Sequence, residues 1–140
     1  MRFHKNVLAG LTVLAGLGMA SQAMAEGRNP GSLLLYPEFD NRAGVVTVVT
    51  ITNTDGFGDD VDVEFVYIGR YDIDGDVDCE EFNRVVTLTP NDTLTLITNF
   101  HNPQHEQGYV YAFARTGVNA PIAHNYLICE VMTVDGLDAI

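Results

Sequence analysis

Apolar and polar residues alternate, or form short apolar blocks, along most of the chain after residue 25. A period of two places successive side chains on opposite faces of a strand, and the glycine, proline, asparagine and aspartate between the blocks are typical turn residues. No segment after residue 25 has the period of an amphipathic helix. The pattern predicts seven strands, at about 32–36, 45–52, 60–68, 82–89, 93–100, 109–115 and 122–133.

The segment at 60–68 has the clearest alternation. Its apolar residues fall on one face and its acids on the other: Val61, Val63, Phe65 and Tyr67 against Asp60, Asp62 and Glu64. One face of this strand is therefore expected to be buried and the other to be in water.

The segment at 109–115 also has two different faces, since Tyr109, Tyr111 and Phe113 alternate with Val110, Ala112 and Ala114. We expect a central strand here, with its two tyrosines in the hydrophobic core because large aromatic side chains bury the most area.

The sequence Thr89-Pro90-Asn91-Asp92 predicts a tight turn, because proline presets φ and asparagine or aspartate bonds back to the backbone. A type I turn here would join the fourth and fifth strands in a hairpin. In the fifth strand, Leu94, Leu96 and Phe100 share one face.

Strands without intervening helices indicate an antiparallel β-sandwich. Two stretches resemble bacterial immunoglobulin-like and fibronectin type III-like modules. The first is Val45–Asn53 followed by Val61–Ile68, and the second is Tyr109–Arg115 followed by Gly117 and Pro121. The resemblance implies an all-β, immunoglobulin-like sandwich of about seven strands, without assigning a role to any residue.

The first 25 residues have the form of a secretory signal peptide. Arg2, His4 and Lys5 precede an uncharged apolar run at 7–20, and Ala23-Met24-Ala25 forms a small-residue cleavage site before Glu26. We therefore expect residues 26–140 to be one exported domain, in the periplasm or outside the cell. The absence of a sorting signal before Ile140 leaves open that the natural chain continues.

Residues 26–140 hold all 19 acids of the chain but only five arginines and no lysine, so their formal charge is 5 minus 19, or −14. Such a charge repels nucleic acid and anionic lipid headgroups. No later segment is apolar enough to span a bilayer. Nucleic-acid binding and membrane insertion are therefore not expected.

Acids are densest between residues 55 and 81, and at 72–80 they occupy every second position around Gly75. Calcium takes six to eight oxygen ligands, which closely spaced carboxylates can supply. The predicted calcium ligands are Asp72, Asp74, Asp76, Asp78 and Glu80. Glycine is fourth here and Asn83 takes the twelfth position, so the segment is not an EF-hand loop.

Two other interpretations of these acids stay open. Alternating carboxylates also suit a solvated edge strand, where charge prevents pairing with other chains. An acidic surface without lysine also suits a protein that is adapted to salt.

Cys79 and Cys129 are the two cysteines of the chain. In an exported protein they most simply form one disulfide, although buried thiols or a bridge to another chain remain alternatives. The intramolecular bridge would close a loop of about 50 residues and stabilise the fold by roughly 4 kcal/mol.

His101 and His105 are four residues apart, a spacing that aligns metal ligands on a helix. Pro103 disfavours a helix here, so a solvated loop is the simpler prediction. Zinc bound by these histidines and a distant carboxylate would make the chain a small metal-dependent hydrolase. Ser32 is the only serine after residue 25 and lacks a nucleophile elbow, and an enzyme is not expected.

Two binding modes remain. The segment Ser32–Tyr36 could pair in its own sheet or add to the edge of a neighbour, as extended peptides do. Carbohydrate binding needs exposed aromatic side chains, for which Tyr71 is the candidate. The sequence thus predicts a non-catalytic, exported structural or interaction module of a bacterial envelope or extracellular layer, stabilised by calcium, with carbohydrate recognition as an alternative.

Overall fold

Seven strands and one short helix make up the part of the chain that the structure, a computed structural model, describes. This part comprises residues 29–73, 76–118 and 120–136, without the side chains of 71–73 and 76–77. The fold is all-β, as the alternation predicts. The elements are β1 (Leu33–Asp40), β2 (Val45–Asn53), β3 (Val61–Ile73), β4 (Asp76–Leu88), β5 (Thr93–Ile97), α1 (Thr98–His101), β6 (Gln107–Arg115) and β7 (Leu127–Asp135).

The strands form two antiparallel sheets. One has four strands in the order β1-β6-β3-β4, and the other has three in the order β5-β2-β7. In a constant-type immunoglobulin domain the first strand lies beside the second, and the last lies beside the sixth. Here β1 pairs with β6, β7 pairs with β2, and β4 pairs with β3 instead of lying beside β5, so the order differs from the constant type at these three strands.

Both sheets contribute side chains to one hydrophobic cluster. The Tyr36 hydroxyl donates to the carbonyl oxygen of Thr50 at 3.2 Å, which links β1 of one sheet to β2 of the other. Leu94 and Leu96 of β5 pack against this cluster from the side, as their shared face predicts. Its buried members are Leu34, Tyr36, Phe39, Val49, Ile51, Val61, Val63, Phe65, Tyr67, Leu88, Val110, Ala112, Ala114 and Leu127.

Strand β1 runs further than predicted because it accommodates a proline. Its pairing with β6 shifts register between Tyr36 and Phe39, which places Pro37 and Glu38 in an irregularity at the edge of the sheet. Proline cannot donate a ladder hydrogen bond and is tolerated at edge strands and bulges. The strand therefore continues past residue 36 to Asp40.

The acidic segment is part of a long hairpin rather than a loop between two shorter strands. β3 continues past the predicted end at 68 to Ile73, and β4 begins at Asp76 instead of 82. The last pair is Ile73 with Asp76.

The turn at 89–92 is present, but the predicted hairpin between the fourth and fifth strands is wrong. Asp92 N–H donates to Thr89 O at 3.1 Å, and Asn91 has a φ of 58°. A positive φ at this position is typical of a type II turn, which asparagine tolerates, and not of type I. β4 pairs with β3 while β5 pairs with β2, so the turn carries the chain from one sheet to the other.

A single helical turn, α1, replaces the end of the predicted fifth strand, and the prediction of no helix here was wrong. Asn102 N–H donates to Thr98 O at 2.6 Å, and Asn102 has left the helical region at φ −130° and ψ 85°. Residues before proline disfavour the α conformation, so Pro103 explains why α1 stops after one turn. Phe100 is consequently exposed on α1 and does not share the face of Leu94 and Leu96, contrary to the prediction of one strand over 93–100. No helix in the described ranges is long and apolar enough to cross a membrane.

Buried polar groups attach α1 and the following segment to the sheets. The Thr98 hydroxyl donates to Asn41 Oδ1 at 2.6 Å, and Asn41 Nδ2 donates to the carbonyl oxygens of Asn102 (3.1 Å) and His105 (2.9 Å). Thr98, Asn102 and His105 are all buried. Residues 102–106 are thus a loop, as predicted, but a partly buried one: Pro103, Gln104 and Glu106 are exposed, whereas the buried polar groups of Asn102 and His105 are held by hydrogen bonds.

Candidate functional site

Strand β6 buries its small residues and exposes its aromatic ones, the reverse of the prediction. Val110, Ala112 and Ala114 are fully buried in the core, whereas Tyr109 is 42% exposed and Tyr111 and Phe113 are half-buried on the other face. The prediction that Tyr109 and Tyr111 belong to the core is thus wrong.

The reason lies in the neighbours of β6 on both sides. Phe65 of β3 pairs with Ala112, and Tyr36 of β1 and Tyr67 of β3 both pair with Val110. Large side chains on the flanking strands fill the core, and close packing then leaves room only for small residues between them. The aromatic residues of β6 must therefore lie on the outside.

Tyr109, Tyr111 and Phe113 form an aromatic row on β6, and apolar residues of the neighbouring strands extend this row into a larger apolar surface. Leu35 pairs with Tyr111, and Leu33 pairs with Phe113. The two leucines are 62% and 64% exposed. We call this surface the outer sheet face and define it by six residues: Leu33, Leu35, Val85, Tyr109, Tyr111 and Phe113.

Two rings and one buried valine give the outer sheet face a defined shape. The rings of Tyr111 and Phe113 have centroids 6.2 Å apart and planes inclined by 18°. Val66, which pairs with Tyr111, is only 3% exposed although it is not part of the core cluster. The face is therefore packed, with a valine buried on the side of the sheet away from the core.

Polar groups border the aromatic row on the β3 and β4 side and at the end of β6. Arg115 Nη1 lies 2.8 Å from Glu64 Oε2, Thr87 Oγ1 donates to Asp62 Oδ1 at 2.7 Å, and Asn83 Nδ2 donates to Glu81 Oε1 at 2.7 Å. An apolar patch with a polar rim is typical of a surface that binds another molecule.

Burial is the largest cause that raises the pKa of the Tyr111 hydroxyl, and the carboxylates of Glu81 and Glu64 and the nearby Tyr109 raise it further. The phenol consequently stays neutral at physiological pH and can both donate and accept a hydrogen bond.

The structure describes the side chains of only two of the five predicted calcium ligands. Asp74 lies outside the described residues, and so do the side chains of Asp72 and Asp76. Asp78 and Glu80 are exposed on β4. Among the residues that the structure describes, no three histidines, cysteines or acids are placed to hold a metal ion. Calcium binding by this segment therefore remains a prediction.

The structure contains no bond between Cys79 and Cys129. Cys79 is exposed on β4 at one edge of the four-stranded sheet, whereas Cys129 lies on β7 of the other sheet. β7 lies next to β1, which is the opposite edge of the four-stranded sheet. This topology separates the two strands, and the predicted disulfide is absent from the fold.

His101 faces the interior near two aromatic rings. Its Nδ1 lies 2.7 Å from the Tyr67 hydroxyl, and its ring meets that of Phe65 edge-on at 5.3 Å. Burial, with a smaller contribution from Arg84, lowers the pKa of His101 to about 4. The ring is therefore neutral at physiological pH, with one nitrogen held by a tyrosine.

His105 has a different set of contacts. Asn102 Nδ2 donates to its Nδ1 at 3.1 Å, and its ring approaches that of Phe82 edge-on at 6.3 Å. Burial lowers the pKa of His105 as well. Both histidines thus pack around the aromatic rings next to α1, and no acid completes a zinc site with them in the described residues.

Ser32 and β1 have structural roles in this fold. The Ser32 hydroxyl donates to Asn125 Oδ1 at 2.6 Å and accepts from the backbone N–H of His124 at 2.8 Å. β1 pairs with β6 of its own sheet. The first of the two options for Ser32–Tyr36, pairing within its own sheet, is the one that the structure contains.

Sequence reasoning missed the outer sheet face because strand alternation does not say which face is buried. The run of three small residues, Val110, Ala112 and Ala114, could have indicated the inner face, given the large residues predicted on other strands. The side chain of Tyr71, the predicted exposed tyrosine, lies outside the described side chains. Comparison with protein-family models, with curated proteins and with solved structures finds no match to this chain.

Proposed function

We propose that the chain is an exported, non-catalytic interaction module that binds its partner through the outer sheet face. The observation that carries the proposal is the outward position of Tyr109, Tyr111 and Phe113 beside two exposed leucines. Burying apolar area of this kind is the main favourable term in most protein association. Attachment to a bacterial envelope or extracellular layer is part of the proposal and follows from the signal-like first 25 residues.

We also propose that the two sheets close into an immunoglobulin-like sandwich whose strand order differs from the constant type at β1, β4 and β7. The shared hydrophobic cluster and the hydrogen bond from Tyr36 to Thr50 support two facing layers. A rigid core of this kind holds the outer sheet face in one shape, which lowers the entropy cost of binding.

A non-catalytic role is supported by how the candidate nucleophile and bases are used. The Ser32 hydroxyl is engaged by Asn125 and His124, and His101 is engaged by Tyr67. These contacts stabilise the fold and do not form the nucleophile and base pair that acyl transfer needs.

Carbohydrate recognition is the second candidate, and the aromatic row of β6 now favours it more than the sequence did. Exposed tyrosine rings combine an apolar body with a polar tip, which suits a sugar with apolar faces and hydroxyl edges. Tyr109 and Tyr111 are exposed or half-exposed beside Glu81.

The test compares a face variant with a control. The face variant carries Leu35→Thr and Tyr109→Thr, and the control carries Phe57→Ser and Phe100→Ser, two exposed aromatic residues away from the outer sheet face. Each is immobilised as the 26–140 chain and exposed to the protein and polysaccharide fractions of an exported bacterial extract.

We expect one component of the extract to bind both the natural chain and the control. The same component should not bind the face variant. Loss by both variants, or by neither, would contradict the proposal. Sensitivity of the retained component to protease or to glycosidase separates the protein partner from the carbohydrate.

A further inference from the structure

The aliphatic part of the outer sheet face favours a protein partner over a sugar. Leu33, Leu35 and Val85 are 64%, 62% and 45% exposed. Sugars stack on aromatic rings, but aliphatic side chains gain most when other apolar side chains cover them, at about 25 cal/mol for each Å² removed from water. These three residues would remain exposed to water if a glycan covered only the aromatic row.

The two leucines also lie on an edge strand. β1 is the first strand of the four-stranded sheet and pairs with β6 on one side, while β7 of the other sheet lies next to it and is bridged to Gly31, just before β1. An edge strand can accept an extended peptide, whose side chains then alternate across the enlarged sheet. The Gly31–Leu127 bridge at one end and the irregularity at Pro37 and Glu38 at the other limit regular pairing to the Leu33–Tyr36 stretch.

The net charge of the domain indicates whether the binding partner is a second copy of this chain or a different protein. Residues 26–140 have a formal charge of −14, so two copies would repel each other. Arginines that could attract acids of a second copy bind within the chain, as Arg42 does to Asp40, Arg84 to the carbonyl oxygen of His101, and Arg115 to Glu64. The excess of acids therefore attracts a cationic partner.

We infer that the edge of β1 and the outer sheet face receive an extended peptide segment of a partner protein, in which apolar residues alternate with lysine or arginine. The apolar side chains cover Leu33 and Leu35, the peptide backbone adds to β1, and the basic side chains meet the negative field of the domain. This inference rests on the proposed function and specifies the class of partner.

The probe is a fluorescent peptide of about ten residues, a length that exceeds the free part of β1, in which valine alternates with lysine. Fluorescence anisotropy measures its affinity for the 26–140 chain. We expect saturable binding that weakens when salt rises from about 0.05 M to about 0.5 M, because salt screens exposed charges.

Three comparisons make the result specific. A valine–glutamate peptide should not bind. A valine–lysine peptide with N-methylated valines should bind at least about tenfold more weakly, because it cannot complete the strand ladder. The Leu33→Thr, Leu35→Thr variant should bind the valine–lysine peptide about tenfold more weakly, which corresponds to about 1.4 kcal/mol of binding free energy. The Phe57→Ser, Phe100→Ser variant should bind it as the natural chain does.

Equal binding of the N-methylated peptide, or unchanged binding by the leucine variant at an unchanged melting temperature, would overturn the inference, since the acidic surface alone would then account for the affinity. If the peptide does not bind while the face variant still loses a retained component, the inference fails and the proposed function stands. A glycan as that component would identify the carbohydrate alternative.

Discussion

The Tyr67 hydroxyl lies 2.7 Å from Nδ1 of His101, and this contact joins the middle of β3 to helix α1. Neutral imidazole can accept a hydrogen bond at this nitrogen, but the protonated ring cannot. Burial holds the pKa of His101 at about 4, below its ordinary value of 6.5. Folding therefore disfavours protonation of this ring.

The stability of the domain should consequently fall between pH 6.5 and about 4. A lowered pKa in the folded state means that the unfolded chain takes up the proton first, so the contribution of His101 is complete above pH 6.5 and is lost as pH falls to about 4. Because His101 is partly exposed, its contribution to the free energy of unfolding is reduced to roughly 1–2 kcal/mol. Urea unfolding at several pH values measures it.

The matched variant for this prediction is His101→Gln, which has no titrating ring. Its stability should change less with pH across the same interval, and the remaining slope should reflect His105, whose pKa burial also lowers. A slope equal to that of the natural chain would show that His101 does not titrate with folding.

The face assignment of β6 is tested by Ala112→Leu and Phe113→Leu. Ala112 is fully buried opposite Phe65, so a larger side chain should cost about 1–3 kcal/mol through overpacking. Phe113 is half-buried on the outer sheet face, and its replacement should cost less than about 1 kcal/mol. The reverse order of losses in denaturant unfolding would place the aromatic residues in the core.

Gly69 permits a close approach between β3 and the segment after α1. A Cβ at this position would lie 2.8 Å from Cβ and Cγ of His105 and 2.9 Å from the carbonyl oxygen of Gln107. Gly69→Ala should therefore destabilise the fold by about 1–3 kcal/mol, because the buried histidine must move.

Gly117→Ala is the control for this substitution, since a Cβ there meets no atom within 4 Å. Its free energy of unfolding should differ from that of the natural chain by no more than about 0.5 kcal/mol, the range of a surface substitution. Equal losses at the two positions would argue against the packing of His105 on Gly69.

Calcium should raise the melting temperature of the 26–140 chain more than magnesium does, because magnesium demands strict octahedral geometry. The variant Asp78→Asn, Glu80→Gln should lose most of this gain, whereas Asp59→Asn, Asp60→Asn, in the loop before β3, should keep it. Scanning calorimetry at constant ionic strength measures both. Equal gains from calcium and from sodium would indicate simple screening of the acidic segment.

Cys79 should react with iodoacetamide faster than Cys129 in the folded protein, because Cys79 is exposed and Cys129 is partly buried. In denaturant without reductant, both should be alkylated, since their strands lie in different sheets and at separated edges. Intact mass measures the number of added groups. A 26–140 chain that takes up none would show that the predicted disulfide forms.

Strand number and most strand positions follow from alternation, because burial on one face of a sheet requires a period of two. The buried face of the segment at 60–68 was predicted correctly for this reason. The bounds of β3 and β4 were not, since the acids at 72–80 suit a solvated hairpin and a loop equally well. The helical turn α1 was also not predicted, because one turn is too short to show a period. Its polar groups are held by hydrogen bonds to Asn41, which is distant in sequence.

By itself, the sequence determined an all-β chain with seven strands, an acidic surface without lysine, and a turn at 89–92, since each depends on nearby residues or on composition. Only the tertiary structure decided which strands are neighbours and which face of β6 is inside. The physical reason is that the inside of a strand is set by the volume of side chains on its neighbours. Tyr36, Phe65 and Tyr67 fill that volume, so Ala112 faces the core and Tyr111 remains on the surface.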